Sequence, residues 1–183
     1  MLKISDNPPI LYPKSRLLDH RTGRWWVAHT KARFEKVFAW ELVTREISYF
    51  LPMVERVRMS GGRKRHVMTP LFTSYVFFYG SDQDRYKALT TNRLCQVICV
   101  DCQETLINEL STVQRVLDGD ADLDFYPHAA VGRRCRIKSG PFEHIEGIVV
   151  EHNSTSRIVL QISILGQGTA MEIDADLLEE TGD

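Results

Sequence analysis

Several protein classes are excluded by what this chain lacks. Four cysteines, at 95, 99, 102 and 135, are too few to staple 183 residues, so a disulfide scaffold is out and a cytosolic setting is expected. Apolar runs such as YVFFY at 75–79 fall far short of the roughly 20 residues a membrane-spanning helix needs. The opening MLKISDNPPILYPKSRLLDH has no unbroken apolar core and no small-residue cleavage site, so it is not read as a secretory signal. No internal repeat or low-complexity tract is visible. What remains, 43% hydrophobic and 26% charged, is the balance of an ordinary globular chain with room for one medium domain or two small ones.

The net charge of −1 hides an asymmetry. Residues 21–118 carry a net of +5, while residues 119–129 and 130–180 each carry −3. A basic first part on an acidic second part suggests two modules with different partners, although such an imbalance also arises by chance. Residues 1–20 hold three prolines and no period, and read as an extended or mobile tail. A strand is expected at Arg24–Thr30 and a helix from Lys31 to Arg45, with Phe34, Val37, Phe38 and Leu42 toward the core and Arg33, Lys36 and Trp40 on another stripe. Strand-like residues from Ile47 onward are broken by SGGRKR, and the chain returns through HVMTPLFTSYVFFYG. Residues 56–65 hold Arg56, Arg58, Arg63, Lys64 and Arg65 without an acid, so the tip of this hairpin concentrates positive charge. A short helix opening on Ser81 or Asp82, a strand at 95–100 and a helix near Gln103–Leu117 complete the order β-α-β-β-α-β-α. That order predicts an α+β module at 21–118, with helices on an antiparallel-rich sheet.

Residues 119–129 read as a linker, and beyond them the pattern changes. GRRCRIK, GIVVEHN, RIVLQISIL and TAMEI are β-rich runs between GP, NSTS and GQG turns, which predicts a small closed five-stranded barrel over 130–180. Gly140-Pro141 and Gly147 are read as structural, serving a turn and a close strand approach.

WWVAHTKARFEK at 25–36, FLPMVERVR at 50–58 and PLFTSYVFF at 70–78 resemble the N-terminal domain of the NusG family of transcription factors. VGRRCRIKSGPFEHIEGIVVEH at 131–152 and RIVLQISILGQGTAMEI at 157–173 resemble its KOW domain, an SH3-like barrel. Either signature alone is less specific than both in tandem. The resemblance implies a non-enzymatic factor without cofactor. It would grip RNA polymerase at the clamp helices, suppress pausing or termination, and recruit a ribosomal small-subunit protein or the termination factor Rho through the KOW domain. It also implies a monomer without a membrane partner.

The resemblance places the polymerase contact on Pro70, Leu71, Phe72 and Tyr75, with Trp26 extending the patch, while Val76 and Phe78 are assigned to the core. Thr73-Ser74 stands where most relatives have Pro-Gly or Pro-Asn, so the loop need not keep the family geometry. In relatives of the RfaH type the matching basic surface touches non-template DNA. Lys31, Arg33, Lys36, Trp40, Asn92 and Arg93 are the corresponding candidates, against a simple reading as a solvated helix face. Arg63, Lys64 and Arg65 would reach upstream DNA or polymerase, or merely keep the hairpin soluble. Phe142, Ile164 and Leu165 are the candidates for a KOW partner, with Leu165 standing where partner-binding relatives often carry an aromatic. RfaH can refold its KOW domain as a helical hairpin, but residues 148–164 are rich in Val, Ile, Ser and Thr, which favours a permanent barrel.

Cys95, Cys99 and Cys102 form C-x3-C-x2-C, with His128, His144 and His152 downstream. Two of these cysteines fall inside a strand, where they read as small core side chains, so neither a metal site nor a cysteine nucleophile is expected. The departures at Thr73-Ser74 and Leu165 favour a specialised antiterminator. A housekeeping NusG-type elongation or termination factor is the close alternative. An RNA- or ribosome-binding KOW protein is a further one, which the −3 charge of 130–180 disfavours.

Overall fold

The computed structural model describes residues 6–14, 23–119, 121–126, 132–152 and 155–181. The remainder of the expected tail (1–5 and 15–20) and of the expected linker (120 and 127–129, His128 included) lies outside the described residues. The chain divides into two compact units, residues 1–103 and 104–183.

In the first unit a five-stranded sheet runs in the order β1-β3-β6-β2-β7. Its strands are β1 (Leu11–Tyr12), β2 (Arg24–Thr30), β3 (Ser48–Phe50), β6 (Tyr75–Gly80) and β7 (Leu94–Cys99). The central strands β2 and β6 are antiparallel, with Trp26 opposite Phe78 and His29 opposite Tyr75. Between β3 and β6 the chain leaves the sheet as a long hairpin of β4 (Met53–Ser60) and β5 (Arg63–Pro70). Helices α1 (Glu35–Thr44) and α2 (Asp82–Leu89) belong to this unit. Phe38, Ala39, Leu42 and Ala88 from these helices join Trp26, Ala28, Val76 and Phe78 of the sheet in one buried cluster.

Three expectations are corrected here. The tail is bound at 6–14: β1 pairs with β3, Tyr12 stacks on Tyr49, and the buried Tyr49 hydroxyl donates to Pro9 O at 2.8 Å. Burial, with Tyr12 alongside, raises the Tyr49 hydroxyl well above the ordinary tyrosine range. Helix α1 starts four residues later than expected, because Arg33 adopts φ 65° and breaks the helical path. Its core stripe is Phe38, Ala39 and Leu42 together with a buried Glu35, while Val37 is 40% exposed. Cys95 and Cys99 are exposed, on β7, which pairs on one side with β2 and is an edge strand of the described sheet.

The second unit contains α3 (Gln103–Asp118 as a whole helix, its first residue belonging to the first unit) and a six-stranded antiparallel sheet. The sheet order is β13-β9-β10-β11-β12-β8, with β8 (Asp124–Tyr126), β9 (Arg133–Ile137), β10 (Glu146–His152), β11 (Thr155–Ile162), β12 (Gln167–Glu172) and β13 (Leu178–Glu180). Helix α3 groups with the second compact unit. One correction follows. The sheet has six strands instead of five, because 124–126 of the expected linker pair with β12, Phe125 opposite Thr169, and cover an edge that would otherwise be open. At Gly147 a Cβ would lie 2.7 Å from Val159 O, which is why the close pairing of β10 and β11 needs glycine there.

Candidate functional site

The sharpest feature of the first unit is the loop between β5 and β6. Ser74 takes φ 67°, a conformation that costs a residue with a Cβ about 1–2 kcal/mol. Two contacts hold it there. The Ser74 N–H donates to the Glu35 carboxylate at 2.6 Å, and its carbonyl accepts from Thr30 N–H at 2.8 Å. Glu35 is only 6% exposed, so an acid in the first turn of α1 is turned inward to bind a loop. The left-handed geometry that a Pro-Gly loop reaches with glycine is reached here with serine and a buried acceptor.

This loop sorts the expected contact residues. Phe72 is 1% exposed and meets Phe77 edge-on with ring centroids 5.8 Å apart; Leu71 is equally buried. Trp26 is also buried, between the core cluster and the guanidinium groups of Arg24 and Arg85, 4.8 and 5.1 Å from its ring. Phe72, Leu71 and Trp26 are therefore corrected from surface to core: large rings on a sheet are worth more packed than wet. Tyr75 and Pro70 remain partly exposed. Tyr75 stacks on His29, with centroids 5.0 Å apart and planes 21° from parallel. The sequence reading missed His29; the signal was its position directly across from Tyr75 once β2 and β6 are set antiparallel.

The basic candidates separate into three groups. Lys31, Asn92 and Arg93 come together: Lys31 Nζ donates to Asn92 O at 2.9 Å, and Lys31 N–H donates to Arg93 O at 2.8 Å. Arg93 lies over the Phe34 ring at 5.3 Å and 3.9 Å from Glu41. Arg33 is exposed at the turn before α1 instead of on the helix. Lys36 and Trp40 follow on α1, but Lys36 Nζ donates to Met68 O of the hairpin and Trp40 Nε1 donates to Asp6 O at 3.3 Å. Burial pulls the Lys36 ammonium below the ordinary lysine range; Glu35 opposes this and Arg58 adds to it. Trp40 is 42% exposed. Arg63, Lys64 and Arg65 stand exposed on β5 beyond the Gly61-Gly62 turn.

In the second unit the three partner candidates are partly exposed. Ile164 and Leu165 sit in a single helical turn, Ser163–Leu165. Glu109 of α3 accepts from Ser163 N–H at 3.1 Å and from the Ser163 hydroxyl. Burial raises the Glu109 carboxyl above the usual range, with the Ser163 hydrogen bonds opposing. Arg115 donates to Glu143 O at 3.2 Å, and a Cβ at Gly119 would lie 2.5 Å from the Phe142 ring. Helix α3 thus reaches both loops that carry Phe142, Ile164 and Leu165.

Among the described residues no three His, Cys, Asp or Glu side chains converge as metal ligands, and no helix is long and apolar enough to cross a membrane. No curated protein matches the chain. The family model described as transcription termination factor nusG matches residues 23–120, which runs from the residue before β2 past the end of α3. With more than half of its length matched, the chain belongs to the NusG family.

Proposed function

We propose that this chain docks on the clamp helices of RNA polymerase through the Tyr75–His29 ring pair together with Pro70, and so suppresses pausing or termination. The base for this is coarser and firm: NusG-family proteins are non-enzymatic transcription elongation and termination factors that bind RNA polymerase. The observation that supports the finer reading is the stacked pair itself, held in a fixed pose by the Ser74–Glu35 bond at a position where the rest of the aromatic loop is packed inside. Rigid, partly exposed aromatics give contact area at low entropic cost and are common binding anchors. The basic group Lys31, Arg33, Asn92 and Arg93 serves non-template DNA, with Lys36 and Trp40 next along α1. Residues 130–180 act as a KOW domain that recruits a ribosomal small-subunit protein or Rho through Phe142, Ile164 and Leu165. The serine loop in place of Pro-Gly and the leucine at 165 favour a specialised antiterminator over a housekeeping factor.

The test is retention of core polymerase by immobilised wild type, Tyr75→Ala and His29→Ala. Truncating an interface anchor costs about 2 kcal/mol or more, so Tyr75→Ala should weaken retention about 30-fold while its unfolding midpoint stays near wild type. Equal retention by all three proteins overturns the proposed interface.

A further inference from the structure

Residues 6–14 precede the stretch that the family model matches, yet they are built into the first unit. Pro8, Pro9 and Pro13 fall within these nine residues. Proline has no N–H and a fixed φ, so the segment is stiff and poor in donors. It meets the fold through acceptors instead. Asp6 O accepts from Trp40 Nε1 at 3.3 Å, Pro9 O from the Tyr49 hydroxyl at 2.8 Å, and Ile10 O from Leu51 N–H at 2.7 Å. Leu11 and Tyr12 then pair with Phe50 and Tyr49. The side chains of Ile10 and Tyr12 pack on the buried cluster that contains Tyr49, Leu51 and Met53.

The bond at Leu51 leads to the β5–β6 loop. Pro52, the next residue, accepts at its carbonyl from Leu71 N–H at 2.8 Å, and Phe72 O accepts from Tyr75 N–H at 3.2 Å. The connecting pairs Leu51-Pro52 and Leu71-Phe72 are buried throughout, and close-packed interiors transmit small displacements. The loop is thus gripped at two places. Glu35 and Thr30 hold Ser74 near its end, and the path from Ile10 holds Leu71 at its start.

We propose that residues 6–14 are a positioning strap for the polymerase-docking loop: by holding Tyr49 and Leu51 they fix the Pro52–Leu71 bond and, through it, the pose of Tyr75. This rests on the docking role of Tyr75 and adds to it a segment that acts through the loop, not by touching polymerase. Prolines suit the task, because a segment with few unfolded conformations loses little entropy when it is laid down.

Two variants test the strap, Tyr49→Phe and a chain lacking residues 1–14. Tyr49→Phe removes the donor to Pro9 O and keeps the ring that stacks on Tyr12. The net worth of one hydrogen bond corresponds to about a fivefold change in an equilibrium. Hydrogen exchange at the Leu71 amide of the free protein should therefore quicken about fivefold in Tyr49→Phe, while amides of β7, at the opposite edge of the described sheet, keep their rates. The shortened chain should lose about fivefold in retention of core polymerase, the effect of a loop competent in about one molecule in five. On a Tyr75→Ala background the same shortening should cost nothing more, because both changes act on one contact. Unchanged exchange at Leu71 would break the proposed path. Equal quickening at Leu71 and β7 would make the strap a general stabiliser, and additive losses of retention would make it a direct contact; each result overturns the proposal. Where the shortened chain does not fold, exchange in Tyr49→Phe decides alone. The exchange measurement contains no polymerase, so a failure of the docking reading shows separately, as full retention by Tyr75→Ala.

Discussion

Removing the Glu35 carboxylate should loosen the β5–β6 loop by an amount that can be worked out beforehand. In wild type it accepts from Ser74 N–H at 2.6 Å while only 6% exposed, so Glu35→Ala leaves that donor buried with no acceptor. A hydrogen bond to a charged group is worth about 1.5–3 kcal/mol, and the orphaned N–H sets the scale of the loss at about 2–3 kcal/mol. Glu35→Gln keeps an acceptor but loses the charge, and should cost about 1 kcal/mol. Ser74→Gly acts in the opposite sense. It relieves about 1–2 kcal/mol of left-handed strain, less the roughly 0.4–1 kcal/mol by which glycine favours the unfolded chain, for a gain of about 0.5 kcal/mol. Denaturant unfolding followed by tryptophan fluorescence is the right assay, because Trp25, Trp26 and Trp40 all lie in the first unit and none in the second. The expected order of midpoints is Ser74→Gly, wild type, Glu35→Gln, Glu35→Ala. If Glu35→Ala and Glu35→Gln coincide, the carboxylate is not the loop's anchor and the reasoning fails.

Two further outcomes test local devices. Ser81 caps α2 in a reciprocal box with Asp84, whose carboxyl is pushed up by burial but held lower overall by hydrogen bonds from Ser81 and by Lys87; Ser81→Ala should cost about 1 kcal/mol by the same fluorescence titration. Because that carboxyl is depressed in the folded state, its contribution is present above the ordinary aspartate value and should fade as pH falls through the folded one. Glu109 has the opposite sign: its folded carboxyl is raised, so its contribution to stability is full below the ordinary glutamate value and is lost as pH rises through the raised one. Glu109→Gln should flatten that part of the pH profile of the second unit, read by circular dichroism, while keeping an acceptor for Ser163; an unchanged profile would contradict the assignment.

Local chemistry made much of the first unit legible. Strand β2 spans the residues expected, Arg24–Thr30, because its aromatic and β-branched centre has no competing period. The cap at Ser81 was readable for the same reason, a short polar side chain three residues ahead of an acid. What escaped sequence reasoning depends on partners distant in the chain. Glu35 reads as a surface acid until Ser74, thirty-nine positions on, supplies the donor that brings it inside. β1 lies in a proline-rich stretch whose only reason to be ordered is Tyr49 and the edge of β3. β8 lies in an acidic stretch that becomes a strand only because β12 offers it an edge. The two faces of the hairpin were hidden in a different way. Gly61 and Gly62, with φ 57° and 74°, form a two-residue turn that pairs Ser60 with Arg63, and parity from that pair alone assigns every arginine to its side.

The burial of Phe72 changes how any experiment on this surface must be interpreted. Truncating a fully buried phenylalanine costs about 3–5 kcal/mol, a large part of the 5–15 kcal/mol that holds an ordinary domain together. A Phe72→Ala variant that lost polymerase would therefore report a collapsed loop and not a missing contact, and a Phe72→Ala/Tyr75→Ala double variant inherits the ambiguity. Tyr75 is free of it. Its ring is partly exposed and leans on His29, so its removal deletes surface and one stacking contact while Phe72 and Phe77 keep the floor beneath. Phe72→Leu supplies the complementary case: the floor stays apolar with a smaller side chain, and polymerase retention should fall only as far as the unfolding midpoint does. A Phe72→Leu protein that stayed as stable as wild type but released polymerase would mean that the buried ring itself is read by the partner, and the division between packed floor and contacting rim would have to be abandoned.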